Sequence, residues 1–523
     1  MVARRPNIVL ITTDQEQHWS LLPPGLGLEA HGRLLAGGTG FTRYHVVTTP
    51  CGPSRSTIYT GQHTKHTRVV ANPSPQGSSL STTVATLGHM LRSVGYATAY
   101  KGKWHLSMID PAEPFVATTA GALDAYGFAD YSLHRDPVGI AWDGYREDPS
   151  IASEAAAWLT GGAGGKPDDR PWMLAVNFVN PHDVMFFDPG GTGTGAGPRA
   201  LPAPRSALYE RDWDVALPAS LALEDPASKP AAQAGYARFW SEALGGPERD
   251  DEAAWRRLRS YYFNCLRDVD RHVATVLDAL DEAGHRDDTI VVYTTDHGEH
   301  AGAHGLRDKQ ISLYREVANA PLIVTHPDRD GGTTTDALGS AIDLVPTLLA
   351  FAGLDETARA ERFPELAGHD LSACVLDPAA PSPRAAVLFY MSTLYGWDPD
   401  YSAARRRLGE GTADAADEAL VAAGQRLDRR VLMRGVFDGT YKLARYFAPE
   451  NHHRPVGDAL FAENDLELYD TAADPGELRN LAADPAQRER IWALNVQLNA
   501  LIEAEIGVDD GSELGGDPSR YVR

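Results

Sequence analysis

The sequence predicts an α/β protein built on a buried, mostly parallel sheet, followed by a smaller α+β unit with a short antiparallel sheet. Three observations carry this. Short continuous apolar runs end in polar residues, most clearly Asn7-Ile-Val-Leu-Ile-Thr-Thr-Asp14 and Thr289-Ile-Val-Val-Tyr-Thr-Thr-Asp296. Such runs suit strands buried on both faces. Before the second run, Tyr262, Leu266, Val269, Val273, Val276 and Leu280 recur at three- and four-residue steps up to Gly284, the pattern of a long amphipathic helix. Past a Pro- and Ala-rich stretch near 375–385 the style changes. Arg434 to Leu443 reads as a hairpin around Asp438-Gly439, and Arg488 to Ile506 as a long helix. The expected division is a main α/β domain over 1–380, with 185–255 as a variable covering insertion, and a C-terminal α+β subdomain over 381–523.

A chain of 523 residues exceeds one ordinary core. Its 43% apolar and 23% charged content describes a soluble globular protein. The net charge of −23 argues against nucleic acid as a partner and requires any anion site to be locally basic. Three cysteines do not make a disulfide framework, so a reducing compartment is expected. The basic start is followed only by the apolar run Ile8 to Ile11, too short for a signal-peptide core. No stretch approaches the roughly 18 apolar residues of a membrane span. The expectation is a cytoplasmic protein with no membrane partner, and a homo-oligomer is left open.

Taken in order, Asp14 and Gln15 fall beyond the first strand, where open α/β sheets bind ligands. In Cys51-Gly-Pro-Ser-Arg55-Ser-Thr-Ile-Tyr-Thr-Gly61, Pro53 opens a helix and Gly61 closes it. Cys51 then lies at or just before a helix N-terminus, where free N–H groups and the dipole favour an anion. Arg55 adds a planar fork of donors for oxyanions. A lone cysteine is, by itself, more often a buried structural group. His63 and His66 read as surface or supporting residues. Ser81 to Val94 reads as a helix, with Val84, Leu87, Leu91 and Val94 on one face and Gly95 as its stop. The strand Tyr96 to Tyr100 runs into Lys101-Gly-Lys103-Trp-His105, and Trp172 to Val179 into Asn180-Pro-His182-Asp183. A lysine is usually solvated, yet charge recurs at each strand's carboxyl end. Residues 110–170 read as helices and covering loops, and Cys265 as core. The second Thr-Thr-Asp ending delivers Asp296 and His297, so two strands look like two halves of one metal site.

Cys51-Gly-Pro-Ser-Arg55, with Thr60-Gly61 after it, resembles the signature of the formylglycine-dependent (type I) sulfatases of the alkaline phosphatase superfamily. Gly102-Lys103-Trp-His105-Leu, Pro181-His182, Gly305-Leu-Arg-Asp-Lys309 and Leu466 to Leu481 extend the resemblance over most of the chain, except 110–170, 185–255 and 395–430. The resemblance implies an alkaline phosphatase-like fold, a large mixed sheet sandwiched by helices. It implies oxidation of Cys51 to 3-oxoalanine (formylglycine) by a formylglycine-generating enzyme. It also implies one divalent cation held by Asp14, Gln15, Asp296 and His297 together with residue 51. Arg55, Lys103, His105, His182 and Lys309 would surround the sulfate. In this chemistry the aldehyde is hydrated to a diol, one hydroxyl attacks sulfur in line, and deprotonation of the other expels sulfate with help from His105. Lys309 or His182 serves the leaving oxygen, and Arg55 orients the diol.

The commonest sulfatase set is Asp-Asp with Asp-Asn. Asp-Gln with Asp-His looks more like the subgroup of choline sulfatases and phosphonate monoester hydrolases. The family cation is Ca²⁺, but an imidazole suits Mn²⁺ or Zn²⁺ better. The leading expectation is a sulfuric ester hydrolase acting on a small aryl or alkyl sulfate. The alternative is a phosphonate monoester or phosphodiester hydrolase using the same aldehyde. A non-catalytic binding protein is disfavoured because every expected catalytic position is filled. A choline-type substrate would need an aromatic cage, for which Trp104, Tyr314, Tyr395 and Trp397 are the candidates.

Overall fold

The apolar runs form the expected strands. In the computed structural model, β1 (Asn7–Asp14) is buried along its whole length and is the third strand of a seven-stranded sheet. The structure describes all residues except 1–4, 75–77, 110–120, 134, 162–164, 191–199, 245, 310–311, 393–397, 425, 453–456 and 515–523. The other strands of this sheet are β2 (Thr39–His45), β3 (Ala97–Gly102), β4 (Trp172–Pro181), β5 (Thr289–Thr295), β6 (Leu322–Thr325) and β7 (Thr333–Ser340). Their order is β3-β4-β1-β5-β6-β2-β7. The left half, β3 to β5, is parallel, and β6 runs antiparallel to both its neighbours, so the sheet is mixed.

Register positions the site. Thr13 of β1 pairs with Thr295 of β5, so Asp14 and Asp296, one residue further on, end level with each other. Gly102 of β3 pairs with Asn177 of β4, which brings Lys103 to the same edge. Gly102 is required there: φ is +92°, and a Cβ would lie 2.0 Å from the Asn177 carbonyl oxygen.

The small sheet, β8 (Val387–Met391), β9 (Leu432–Phe437), β10 (Tyr441–Phe447) and β11 (Asp465–Asp470), is antiparallel throughout. The Arg488–Glu505 helix covers one face with Ile491, Leu494, Leu498 and Ile502 against Leu388, Val436 and Leu443. The other face packs Val387, Phe389 and Met433 on Val47, Leu313 and Ile342 of the large unit.

The helix expected over 81–94 is shorter and spans Leu87–Ser93. Ser81 and Thr83 bond locally, with the Thr83 amide donating to Ser81 Oγ at 3.2 Å, and Thr86 and His89 form a capping box. Short hydroxyl side chains compete with the helix in this way. The long helix spans Glu252–Glu282, starting earlier than its clearest apolar repeats because Asp251 caps it through the Ala254 amide. Cys265 is core, and the three cysteines are all buried and free. No described helix is long and apolar enough to cross a membrane.

That helix also braces β1. His31, buried, bridges Glu16 (2.7 Å), just past β1, to Asp270 (2.6 Å) on the long helix. Burial disfavours its charge, but the Glu16 and Asp270 carboxylates raise His31 from 6.5 to about 10. The stabilisation is therefore full below pH 6.5 and lost as pH rises through about 10. His31→Gln leaves two buried carboxylates without their cation, a loss of about 3–5 kcal/mol. Unfolding followed against pH should show this deficit shrinking across the upper part of that window.

Candidate active site

The Cys51–Thr60 helix is buried at every residue and begins at Cys51 itself. The Gly52 amide donates to the Asn72 side-chain oxygen at 2.9 Å, tying down the helix start. Gly61 closes the helix with φ +67°, and a Cβ there would fall 2.7 Å from Leu366. The helix N-terminus points its cysteine at the edge where β1 and β5 end. The Cys51 thiol donates to Asp14 Oδ1 (3.6 Å), and Sγ lies 3.3 Å from His297 Nε2. Ligand atoms of Asp14, Cys51, Asp296 and His297 all fall within 4.8 Å of one another, and all four residues are buried.

Two carboxylates cannot share such a place without cations. Lys103 Nζ is 2.6 Å from Asp14 Oδ2. Arg55 donates through Nε to Asp296 Oδ2 (3.0 Å), and its Nη2 is 3.8 Å from Asp14. Arg55 Nη1 donates to the Lys103 carbonyl (2.8 Å) and to Asn177 Oδ1 (3.0 Å), which fixes its plane. Burial works against charge on Asp14, yet the Lys103 ammonium, with that of Lys309 behind it, holds the carboxyl well below its usual range. Asp296 is pushed up by burial and by Asp14 beside it. The Cys51 thiol is pushed up to about 12 by burial and by Asp14, against the helix N-terminus and the nearby ammoniums. An unmodified Cys51 is therefore a neutral thiol here, not the activated thiolate that a helix start alone suggests.

Gln15 adopts φ 75°, outside the range most residues prefer. Its amide N–H donates to Asp296 Oδ1 (3.3 Å), its side-chain oxygen accepts from Lys309 Nζ (2.6 Å), and its side-chain nitrogen donates to Glu299 (2.5 Å) and Asp308 (3.3 Å). Gln15, expected as a ligand, thus positions Lys309; a carbonyl oxygen has two lone pairs, so this bond leaves one for a cation. Burial opposes the Lys309 charge, but the Asp308 carboxylate, with Asp14 and Asp296 beyond it, holds it well above its ordinary value.

His105 is held at φ 53° because the Trp104 and His105 amides both donate to Asp136, at 2.9 and 2.7 Å. His182 follows β4 directly, and Gly139 packs on its ring so closely that a Cβ would come within 2.6 Å. Nδ1 of each imidazole is buried without a hydrogen-bond partner among the described residues. Burial lowers both, reinforced by Lys103 at His105 and by Lys309 and Lys103 at His182, so both rings are neutral.

Every expected site residue is thus at or beside one sheet edge. Asn177, Asp136, Glu299 and Asp308 are supporting residues that sequence reasoning missed. Asp308 lies within the string that ends at Lys309, and Asn177 within the expected strand Trp172 to Val179; Asp136 lies in a stretch with no readable signal. His63 is buried and bonded to Glu505 (2.8 Å), and His66 is exposed. Among the aromatic-cage candidates, Trp104 is core, packed on Tyr100 and Tyr126, so it cannot line a pocket. Tyr314 carries the Lys229 ammonium on its ring (4.4 Å) and is occupied within the protein. Tyr395 and Trp397 lie outside the described residues.

The donor set suits a divalent cation: two carboxylates and an imidazole, buried, with one carboxyl unsettled by the other. Asp14→Asn should lower the metal retained after purification, read by elemental analysis, whereas His105→Ala should leave it unchanged.

The sulfatase family matches residues 6–354. An N-acetylglucosamine-6-O-sulfatase of Bacteroides thetaiotaomicron is 27% identical over 394 residues, covering 67% of this chain and 68% of that one. A 2-O GAG sulfatase structure aligns with a TM-score of 0.70 at 22% identity, over 99% of this chain and 96% of the other. The phosphonate monoester hydrolase of Silicibacter pomeroyi aligns with a TM-score of 0.64 at 21% identity, over 97% of each chain.

Proposed function

This chain belongs to the sulfatase family, and from that premise we propose that it hydrolyses small aryl or alkyl sulfate esters through Cys51 matured to formylglycine. The observation that carries the reading is the convergence of the Cys51 helix start with Asp14, Asp296 and His297 in one buried cluster. When bound, a divalent cation held by Asp14, Asp296 and His297, with Gln15, supplies electrophilic stabilisation of the oxygens on sulfur, and the hydrated aldehyde supplies the attacking hydroxyl.

The protein's own groups do the rest. Lys103 and Arg55 are buried cations held at fixed positions, so they meet negative charge without reorganising, usually the largest contribution to catalysis. Lys309, aimed by Gln15, offers an ammonium to the leaving oxygen as its bond to sulfur breaks, with the neutral His182 ring beside it. His105, neutral and with Nδ1 free, accepts the proton whose loss restores the aldehyde and releases sulfate. Maturation requires a formylglycine-generating enzyme as a partner during synthesis.

The second reading is a phosphonate monoester or phosphodiester hydrolase. The ligand positions Gln15 and His297 favour it, since they depart from the commonest sulfatase set. The two are separated by kcat/KM for nitrophenyl sulfate, a phosphate diester and a phenylphosphonate ester on protein co-expressed with the maturation enzyme. The sulfate should be preferred, and Cys51→Ala should abolish turnover of all three. His105→Ala should cost about 10²–10⁴-fold, and Lys103→Ala about 10²–10³-fold. Preference for either phosphorus ester would overturn the first reading in favour of the second.

A further inference from the structure

Past the active-site loop, the turn Ala303–Gly305 buries His304 in a left-handed conformation, φ 60°. The Tyr314 ring stacks on its imidazole, centroids 3.6 Å apart and planes 12° apart. His304 Nδ1 is 2.8 Å from Glu224 Oε1, and Lys229 pairs with the same carboxylate. The ring plane is thereby fixed: Nδ1–H donates to the Glu224 carboxylate, and Nε2 faces the other way. Nε2 has no hydrogen-bond partner among the described residues, and Glu316 Oε2, 3.5 Å away, has none either. Glu477 completes the group. Its Oε2 accepts from the Arg315 amide (2.8 Å), and Oε1 keeps an ion contact with Lys442 (2.6 Å) but makes no hydrogen bond. One donor atom from each of His304, Glu316 and Glu477 lies within 4.8 Å of the others, all buried.

We propose that His304, Glu316 and Glu477 form a second divalent-metal site, separate from the Asp14 cluster and joining the active-site loop to the C-terminal segment after β11. A carboxylate that receives the other ring N–H is the usual outer support of a metal-bound histidine, and Glu224 occupies that place. One imidazole and two carboxylates suit a first-row cation of the Mn²⁺ or Zn²⁺ type better than Ca²⁺. The site is structural: it pins the turn that follows Glu299, whose carboxylate accepts from Gln15 and from the Asp308 amide (2.8 Å). The competing occupant is a proton on Nε2, which would leave His304 as a cation between Glu224 and Glu316.

Equilibrium dialysis of the chelator-treated full chain against Mn²⁺, with bound metal counted per chain, separates the two. Asp14→Asn/Asp296→Asn protein should still bind Mn²⁺, and adding Glu316→Gln or His304→Asn should remove that binding. Glu224→Gln should weaken it about 10–100-fold. Glu316→Gln keeps the shape and hydrogen bonding of the side chain, so it serves if His304→Asn does not fold. If the double Asn variant is unfolded, wild type should bind one Mn²⁺ more than Glu316→Gln. No Mn²⁺ on a folded double variant, or the same Mn²⁺ count with and without Glu316→Gln, would overturn the proposal and leave the proton as the occupant. Neither result bears on the sulfatase reading, which the kinetic panel tests independently.

Discussion

The pairing of Thr13 with Thr295 is the constraint on which the site depends. It sets two buried aspartates side by side at the carboxyl edge of a sheet, where neither can be solvated. Unpaired charge in such a place is costly by several kcal/mol per ion, so the surrounding chain is arranged to supply cations. Lys103 comes from the end of β3, Arg55 from the Cys51 helix and Lys309 from the loop after β5. Each arrives from a different element, so the active site and the packing of the large unit are one problem. A molecule with net charge −23 thereby gathers three buried cations, Lys103, Arg55 and Lys309, at one sheet edge.

The backbone is held away from its ordinary conformations at the same edge. Gln15 (φ 75°), His105 (φ 53°) and Asp308 (φ 70°) all lie in the left-handed region. Each such residue costs about 1–3 kcal/mol and persists only where its surroundings hold it. The holding groups are visible. Asp296 takes the Gln15 amide, Asp136 takes the His105 amide, and Glu299 takes the Asp308 amide. Three carboxylates therefore act on backbone, Asp296 in addition to its place in the buried cluster, and this aims the Gln15 amide, the His105 ring and the Lys309 ammonium.

Much of this was legible in the sequence, because strands buried on both faces read as continuous apolar runs and their carboxyl ends carry the chemistry. Asp14, Lys103 and Asp296 follow from that rule, His182 from its Pro-His string, and Cys51 and Arg55 from helix punctuation and motif. The supporting carboxylates do not. Asp136 lies in an irregular stretch, and nothing local marks an aspartate that will accept two distant amides. Trp104 is no cage residue: its place in the motif is plain in the sequence, while its burial among Tyr100 and Tyr126 is a tertiary fact. The helix is shorter than the apolar spacing over 81–94 implies because Ser81 and Thr83 bond locally, which spacing does not show.

The most direct test of the account is the chemical state of residue 51. Peptide mass spectrometry on protein made with and without the maturation enzyme, with sulfatase activity measured on the same samples, reads it. The account predicts an aldehyde at residue 51 and activity in proportion to the fraction converted. Full activity from protein that carries only the free Cys51 thiol would contradict it.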